Sequence, residues 1–549
     1  MKYFRPKVWV AVAFLMPFFV FSHVSADTIG QTRIFNVNSK YDEFSRTSIS
    51  VTLRNISNRA YFYVEDRYWD NLSPNRRTAL SGNMSELGAE FDNNIYPKET
   101  QFWGSEPNPG IDNDARITIV LENLVSGNGG YFDSSNGYPK TLVNNSNERE
   151  MFFLSADADD FAKVYLGHEF QHLISHNQKE LTRKVQEDVW LNELRSEYSV
   201  SLIGYNDIYY GSGLERRVGT FLENPSDSLT EWPNVSDDYA QVALFGQYLS
   251  EQFGQAILSE TLNSTSAGID SINQFLQKNN YTERFSNIFE NWTIANYLNN
   301  QSLDKRYGYQ REELKSIHVM PELVFLSYPV QFSINYDLKS WQPAWYKYNF
   351  SSLPPDKAIK IEYDPNYSVK VLYADNLGRA GVLGNPGYVT NPGGLNSVVL
   401  MPINEIKTAD FGKDEISRTI LVSISYIDND LAKPVADGSL IKRPHEAETY
   451  VAEGKYKRYL RPEIIKLYGH LDASRAIGLD DKAFNSYTTS NYVRSINDKK
   501  VYAVWPDATK HWLNITAQQW DASGRDWGAI FTINELELNA YKTGPEIIR

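Results

Sequence analysis

The chain of 549 residues contains no cysteine. That excludes disulfides, thiolate metal sites, a cysteine nucleophile and the lipobox cysteine of a lipoprotein anchor. Basic residues are in deficit, 54 Lys and Arg against 68 Asp and Glu, for a net charge of −14. Nucleic acid and anionic membrane surfaces both favour basic patches, so neither is an expected partner. Long apolar runs are missing beyond the N-terminus. The run Val8 to Phe21 is about 14 residues long, where a membrane span needs about 20. Lys2, Arg5 and Lys7 precede it and Val24-Ser25-Ala26 follows, the pattern of a cleaved secretory signal over residues 1–26. Its removal leaves 51 basic against 68 acidic residues, a net of −17, and no transmembrane segment. A secreted, soluble chain is expected, released or held at the cell surface. Histidine is scarce too, eight in all, which makes the placement of two of them informative.

Those two stand in His168-Glu169-Phe170-Gln171-His172, an HExxH. On a helix, i and i+4 share one face, one turn apart. Both imidazoles can then give a nitrogen to one zinc ion at about 2.0–2.1 Å. Glu169 is placed to take a proton from a water held by that ion. Phe161, Tyr165, His168 and His172 fall on one face and Leu166, Phe170, Leu173 and Ile174 on another, so a buried helix of about Asp160 to Ser175 is expected.

A catalytic zinc site needs a third protein ligand. Gln178 stands where a metzincin would carry its third histidine, and no glycine turn lies nearby, which excludes that family. His176 lies one further turn along the helix, too far down the axis to close the same tetrahedron easily. Glu193 is the better candidate, in Trp190-Leu-Asn-Glu-Leu-Arg-Ser-Glu-Tyr198. Glu193 and Glu197 are spaced i, i+4: one can bind the metal while the other accepts a hydrogen bond from a ligand imidazole and fixes its tautomer. A bare HExxH arises by chance in on the order of one chain per hundred of this size, and two such carboxylates are usually a solvated face. Together, and in a secreted chain, they argue for a metal site.

HEFQHLI followed about twenty residues later by WLNE..SEY resembles the gluzincin peptidases. The resemblance is closest to the hyicolysin-like neutral zinc metallopeptidases of secreted bacterial proteins, over roughly residues 50 to 315. It implies an α+β zincin-like domain, one catalytic zinc, protein or peptide substrates, Glu193 as third ligand and Glu197 as its partner behind a histidine. Leu194-Arg195 replaces the Gly and small residue expected after the ligand glutamate, which keeps the choice between Glu193 and Glu197 open. The resemblance also implies a peptide-holding edge strand before the metal helix, around Tyr131 or Met151. It further implies a tyrosine hydroxyl to stabilise the oxyanion. Tyr239 leads a helix of the right kind, with Tyr198, Tyr209 and Tyr210 as rivals.

The length suggests three or four domains, and 42% hydrophobic residues can build sizeable cores. The expected division is a metallopeptidase domain over 27–315, with any short propeptide at its start, a β-sandwich over 316–432 and two tandem units over 433–549. Buried strands are expected at Arg116–Leu121 and Met151–Leu154, and helices at Gln186–Ile203, Asp238–Phe253, Ala256–Leu262, Ser271–Gln277 and Phe285–Leu298. Past Phe325 short strands alternate with Pro, Gly and Asn, as in a sandwich. Near the end Ile441-Lys442 matches Val493-Arg494, Tyr450 matches Tyr502, and Lys457 to Leu460 matches Lys510 to Leu513, a period of about 53 residues. Asp112, Asp114, Asp157, Asp159 and Asp160 offer carboxylates to a structural calcium ion. No EF-hand spacing is present, so solvated turns are the preferred reading. His470 and His511 are read as structural.

Two functions follow. The first is a secreted zinc endopeptidase. The second is a cell-surface adhesion or wall- or glycan-binding protein whose peptidase domain is secondary or inactive, motivated by the sandwich and the repeats. The complete set His168, Glu169, His172 and Glu193 argues for the first.

Overall fold

The computed structural model describes residues 26–548 except 158–160, 328–330, 352, 364–368, 406–416, 430–434, 436, 444–445, 469–470, 480 and 497. The expected signal segment, Asp159, Asp160 and His470 therefore lie outside the described residues. The chain forms two compact units. One takes residues up to Asp92 with Pro107–Asp159; the other takes Asn93–Glu106 with Asp160–Arg549.

The first unit is built on a six-stranded sheet of order β1-β2-β3-β4-β6-β5. Its strands are β1 (Thr32–Asn36), β2 (Ser48–Ile56), β3 (Ala60–Glu65), β4 (Ile117–Glu122), β5 (Gly130–Phe132) and β6 (Met151–Ser155). β3, β4 and β6 run parallel, with β2 and β5 antiparallel on either side. All residues of β3 and β4 are buried, as central parallel strands require. Phe35, Val51, Tyr61, Tyr63, Val120 and Phe153 form the core on one face. Helices α1 (Asp66–Asn71) and α2 (Pro74–Glu90) follow β3; Gly88 of α2 lets its backbone come close to Ser57 and to Phe62, which points to the other face. The segment after Asp27 is built into this sheet, and the Asp27 carboxylate accepts from the Tyr63 hydroxyl at 2.6 Å. Of the two strands considered for peptide holding, β5 with Tyr131 is at the edge; Met151 begins β6, which is internal because β4 and β5 pair with it on both sides.

The second unit opens with helices α3 (Tyr96–Trp103), α4 (Ala162–Ser175), α5 (Val189–Leu202), α6 (Gly213–Glu223), α7 (Ser236–Phe253), α8 (Ala256–Leu262), α9 (Gly268–Lys278) and α10 (Phe285–Leu298). α5 is shorter than the expected Gln186–Ile203. Glu187 leaves the helix to bind Arg195 at 2.8 Å and Lys179 at 3.3 Å, and its carboxylate caps the Gly268 amide at 2.6 Å. Trp341, beyond the helices, packs edge-on against Phe285 and Phe289, with ring centres 4.8 and 5.4 Å apart.

A sandwich follows. β7 (Glu322–Ser327), β9 (Tyr346–Ser351), β11 (Val369–Asp375), β12 (Ala380–Leu383) and β14 (Ser397–Asn404) form a sheet of order β12-β11-β14-β9-β7. β8 (Phe332–Leu338), β10 (Lys357–Tyr363), β13 (Gly387–Val389) and β15 (Arg418–Asp428) form the other, of order β13-β10-β15-β8. Tyr348, Val371, Val398 and Leu400 from the first meet Tyr336, Ile359, Ile361, Val422 and Ile424 from the second in one core.

The C-terminal stretch holds two five-stranded sheets. β16 (Leu440–Lys442), β17 (Thr449–Glu453), β18 (Tyr456–Leu460), β19 (Ile477–Gly478) and β20 (Thr488–Thr489) pair in the order β19-β16-β17-β18-β20. β21 (Tyr492–Ser495), β22 (Val501–Val504), β23 (Thr509–Trp512), β24 (Ile530–Ile533) and β25 (Lys542–Thr543) pair in the order β24-β21-β22-β23-β25, strand for strand the same topology. Leu440, Leu460 and Ile464 share a core with Val493, Phe531 and Leu538, and the buried Arg458 forks onto Glu537 at 2.5 and 3.1 Å. The protein is therefore multidomain, mixing helices with several β-sheets. No helix among the described residues is long and apolar enough to cross a membrane.

Candidate metal centre

α4 is buried along nearly its whole length, from Leu166 through Ser175. Two glycines allow the close packing around it. A Cβ at Gly167 would lie 2.5 Å from Ile203 Cδ1 and 3.1 Å from Glu99 Oε1, and one at Gly246 of α7 would lie 3.0 Å from Leu194 Cδ2 of α5. Thus α4 sits against α3 and the end of α5, and α5 against α7.

This packing brings the helix faces carrying His168, His172 and Glu193 together. His168 Nε2 and His172 Nε2 are 3.2 Å apart. Glu193 Oε2 is 3.2 Å from the first and 3.4 Å from the second. A tetrahedral ion with bonds of about 2.0–2.1 Å has ligand-to-ligand edges of about 3.3–3.4 Å. The three donors therefore form one face of a tetrahedron of zinc size. Glu193 Oε2 is buried and has no hydrogen bond of acceptable geometry, as expected of an atom shaped to meet an ion rather than a donor. Among the described residues, these three form the group of His, Asp and Glu side chains able to hold a metal. Two imidazole nitrogens and one carboxylate oxygen suit zinc.

The charges agree with the geometry. Burial alone would lower the His168 pKa, but the adjacent Glu193 carboxylate, with Glu169 and Glu197, pushes it up to about 9. Burial alone would raise Glu193, yet the His172 and His168 imidazoles hold it well below the usual carboxylate range. Glu169 is buried beside His168 on α4 and is not among the three clustered donors.

Behind each imidazole stands a partner. The Ser196 hydroxyl donates to Gln171 Oε1 at 2.6 Å, and Ser196 Oγ is 3.1 Å from His172 Nδ1. Because that amide oxygen can only accept, the hydroxyl proton points to it, and Oγ accepts from His172 Nδ1–H. This leaves the His172 Nε2 lone pair for a metal. Gln171 Nε2 donates in turn to Ser175 Oγ at 2.8 Å. Glu197 Oε1 lies 3.5 Å from His168 Nδ1 and is gripped by Arg217. Glu193 and Glu197 therefore take different places, one beside both Nε2 atoms and one behind His168.

The ring of Tyr239 lies 6.3 Å from that of His168, centre to centre, and its hydroxyl donates to Asn234 Oδ1 at 2.9 Å. Trp232 packs edge-on against it at 5.0 Å. Of the rivals, Tyr198 is buried and bonded toward Ser250 and Gln255, while Tyr209 and Tyr210 meet edge to face and Tyr210 is exposed. His176 turns to Glu180 Oε2 at 3.0 Å and is not among the clustered donors. His511 stacks on Trp505 and bonds the Pro545 carbonyl. Of the aspartates considered for calcium, Asp114 accepts from Tyr61 and Asp157 from Tyr68, each at 2.6 Å, and among the described residues Asp112, Asp114 and Asp157 belong to no metal-holding cluster.

Sequence reasoning passed over Ser196, Gln171 and Arg217. The first two lie inside the quoted motifs, but their roles depend on contacts between α4 and α5. Arg217 lies on α6, which was not anticipated although Ser212 and Glu215 carry the Ser-x-x-Glu start signal; the Ser212 hydroxyl accepts from the Glu215 amide at 3.2 Å.

No family model matches the chain. It is 30% identical over 222 residues to the neutral metalloprotease ShpI of Staphylococcus hyicus, covering 35% of this chain and 48% of that protein. The chain thus spans about half the length of this curated relative. Among solved structures it overlaps PliG, a periplasmic lysozyme inhibitor of g-type lysozyme, from Salmonella Typhimurium at 10% identity and from Aeromonas hydrophila at 5%. Each overlap covers 20% of this chain and 100% of that one, with a TM-score of 0.15. The chain is therefore related over about a third of its length to a metallopeptidase, and it carries a His168, His172 and Glu193 cluster that could hold a metal.

Proposed function

We propose that the chain is a secreted zinc-dependent endopeptidase with one catalytic ion held by His168, His172 and Glu193. The observation that carries this reading is the triangle of donor atoms at 3.2, 3.2 and 3.4 Å. Similarity to a neutral metalloprotease supports the same chemistry. When bound, the ion supplies Lewis acidity toward a peptide carbonyl and toward water. Glu169 takes the proton of the attacking water and passes it to the leaving amine. Ser196 holds His172, and Glu197 backs His168, so that both imidazoles keep their Nε2 atoms in place. Tyr239 supplies a hydroxyl to the developing oxyanion once it lets go of Asn234.

In this reading residues 27–315 form a zincin-like gluzincin domain, 316–432 the sandwich and 433–549 a duplicated unit. Both C-terminal sheets set an aromatic pair across neighbouring strands at matching positions, Tyr450 with Tyr459 and Tyr502 with Trp512. These support a role for that region in contact with wall polymers or glycans outside the cell.

Metal content and casein hydrolysis, measured on residues 27–549 and on Glu169→Gln with and without a chelator, test the proposal. About one zinc per chain, chelator-sensitive hydrolysis and an inactive, metal-loaded variant are expected. Full activity in Glu169→Gln removes the mechanism, and absence of zinc removes the ligand assignment.

A further inference from the structure

Helix α6 reaches the candidate metal centre through one side chain. Arg217 donates from Nε to Glu197 Oε2 at 2.9 Å and from Nη2 to Glu197 Oε1 at 2.7 Å. This is the fork geometry that makes arginine–carboxylate pairs both strong and directional. The same guanidinium lies 4.8 Å from the centre of the Tyr239 ring. Glu197 Oε1 is the oxygen 3.5 Å from His168 Nδ1. One cation on α6 thus touches the carboxylate behind the first imidazole, from α5, and the aromatic ring beside that imidazole, from α7.

Glu193 and Glu197 lie one helical turn apart on the same face of α5, so either carboxylate has the reach to serve an ion. They differ in their partners. Both oxygens of Glu197 are bound by Arg217, whereas Glu193 Oε2 is buried, faces both Nε2 atoms and makes no aligned hydrogen bond. A carboxylate held by a bidentate guanidinium must break two charge-assisted bonds before it can enter a coordination shell. Without that cation, Glu197 would stand as a third carboxylate beside Glu169 and Glu193, only loosely fixed and repelled by both.

We infer that Arg217 is a positioning residue: it clamps Glu197 behind His168 and out of the coordination shell, so that the ion takes Glu193, and it braces the Tyr239 ring at the same time. The inference rests on the metal-site reading above. Lysine cannot replace arginine here, because a single ammonium cannot hold both carboxylate oxygens and cover the ring together.

The test uses the whole secreted chain. Zinc affinity is measured by competition with a chromogenic chelator for the wild type, Arg217→Lys, Arg217→Met, Glu197→Gln and the Arg217→Met/Glu197→Gln double variant. Visible spectra of the cobalt(II)-loaded forms and thermal melts of the metal-free forms accompany it. Loss of an outer partner of a metal ligand typically weakens binding by about 10- to 100-fold. The clamp predicts that loss in both arginine variants, altered cobalt spectra and a fall in kcat with KM within about twofold. It also predicts a double variant no weaker than Arg217→Met alone, since both changes break one linkage. Arg217→Lys keeps charge and length, so its melt should stay near wild type and separate misfolding from lost positioning. Wild-type zinc affinity and cobalt spectra in both folded arginine variants would overturn the clamp while leaving the metal site standing. A wild-type chain that binds neither ion would overturn the metal-site reading and the clamp with it.

Discussion

Replacing Ser196 by alanine isolates how the second imidazole is set. Ser196 Oγ is fully buried, gives its proton to Gln171 Oε1 at 2.6 Å and receives that of His172 Nδ1 at 3.1 Å. Alanine leaves a buried amide oxygen and a buried imidazole N–H without these partners. Each such group costs about 1–3 kcal/mol, so the metal-free fold should lose about 2–4 kcal/mol, allowing for some relaxation. The His172 ring is then free to turn or change tautomer, and metal binding should weaken by about 10- to 100-fold, or about 1.4–2.8 kcal/mol. Ser199→Ala is the matched control. Ser199 is one turn further along α5, equally buried, and its Oγ accepts from Trp103 Nε1 at 2.7 Å. That variant should lose comparable stability in urea and keep its zinc affinity. Chelator competition and urea titration measure the two quantities on the same samples. If Ser196→Ala bound zinc as tightly as the wild type, or Ser199→Ala weakened it equally, the tautomer argument would fail.

Other consequences follow from the packing around α4 and from buried charge. Gly167→Ala puts a methyl group 2.5 Å from Ile203 Cδ1 and should cost about 1–3 kcal/mol; trimming the neighbour with Ile203→Val should recover part of that loss, and additive losses would refute the contact. Glu99 is buried between α3, α4 and α5, and burial holds its pKa well above 4.5. A raised acid contributes its full stability below the unfolded pKa and loses it as pH rises toward the folded pKa. Glu99→Gln should therefore gain on the wild type between pH 4 and pH 7 in urea midpoints, and parallel pH curves would contradict this. In the C-terminal sheets Arg458→Met removes the cation from the buried Glu537 carboxylate, leaving it only the Tyr468 and Tyr541 hydroxyls and its N-terminal helix position, and should cost about 3 kcal/mol, while Arg458→Met/Glu537→Leu should cost less; a double variant worse than the single one would show that the pair is not acting alone.

The part of the site that could be read in advance is the part that is local in sequence. His168 and His172 face one way because four residues make about one turn, and the spacing of Glu193 from Glu197 follows the same rule. Those relations need no knowledge of the fold. Which glutamate faces the imidazoles does need it, because the answer depends on how α5 rotates against α4 and on a cation delivered by α6. Helix α10 matched its expected limits, Phe285–Leu298: Asn287 caps the Arg284 amide at its start, and Asn299 takes the left-handed conformation at its end. α5 began later than expected because Glu187 finds Arg195, Lys179 and the Gly268 amide, a set of partners spread over about ninety residues of chain.

The same distinction explains why the sheets were harder to read than the helices. Strands β10, β11, β14 and β15 carry enough buried β-branched residues to be recognised alone, but β9, β12 and β13 are short or polar and exist because a neighbour completes their hydrogen bonds. Tyr131 stands in a three-residue strand whose place at the sheet edge is set by its pairing with Phe153, not by its own composition. The two C-terminal sheets, which share one strand order, are the exception that fits the rule. Lys457 reaches the Phe484 carbonyl at 3.2 Å, and Lys510, 53 residues later, reaches the Leu538 carbonyl. Both lysines cap the short helix that crosses their own sheet, so a long-range contact was written twice at a fixed interval. A period in sequence can thus reveal a tertiary contact that one copy would hide. The Arg217 clamp occurs once, and nothing short of the assembled helices could show it.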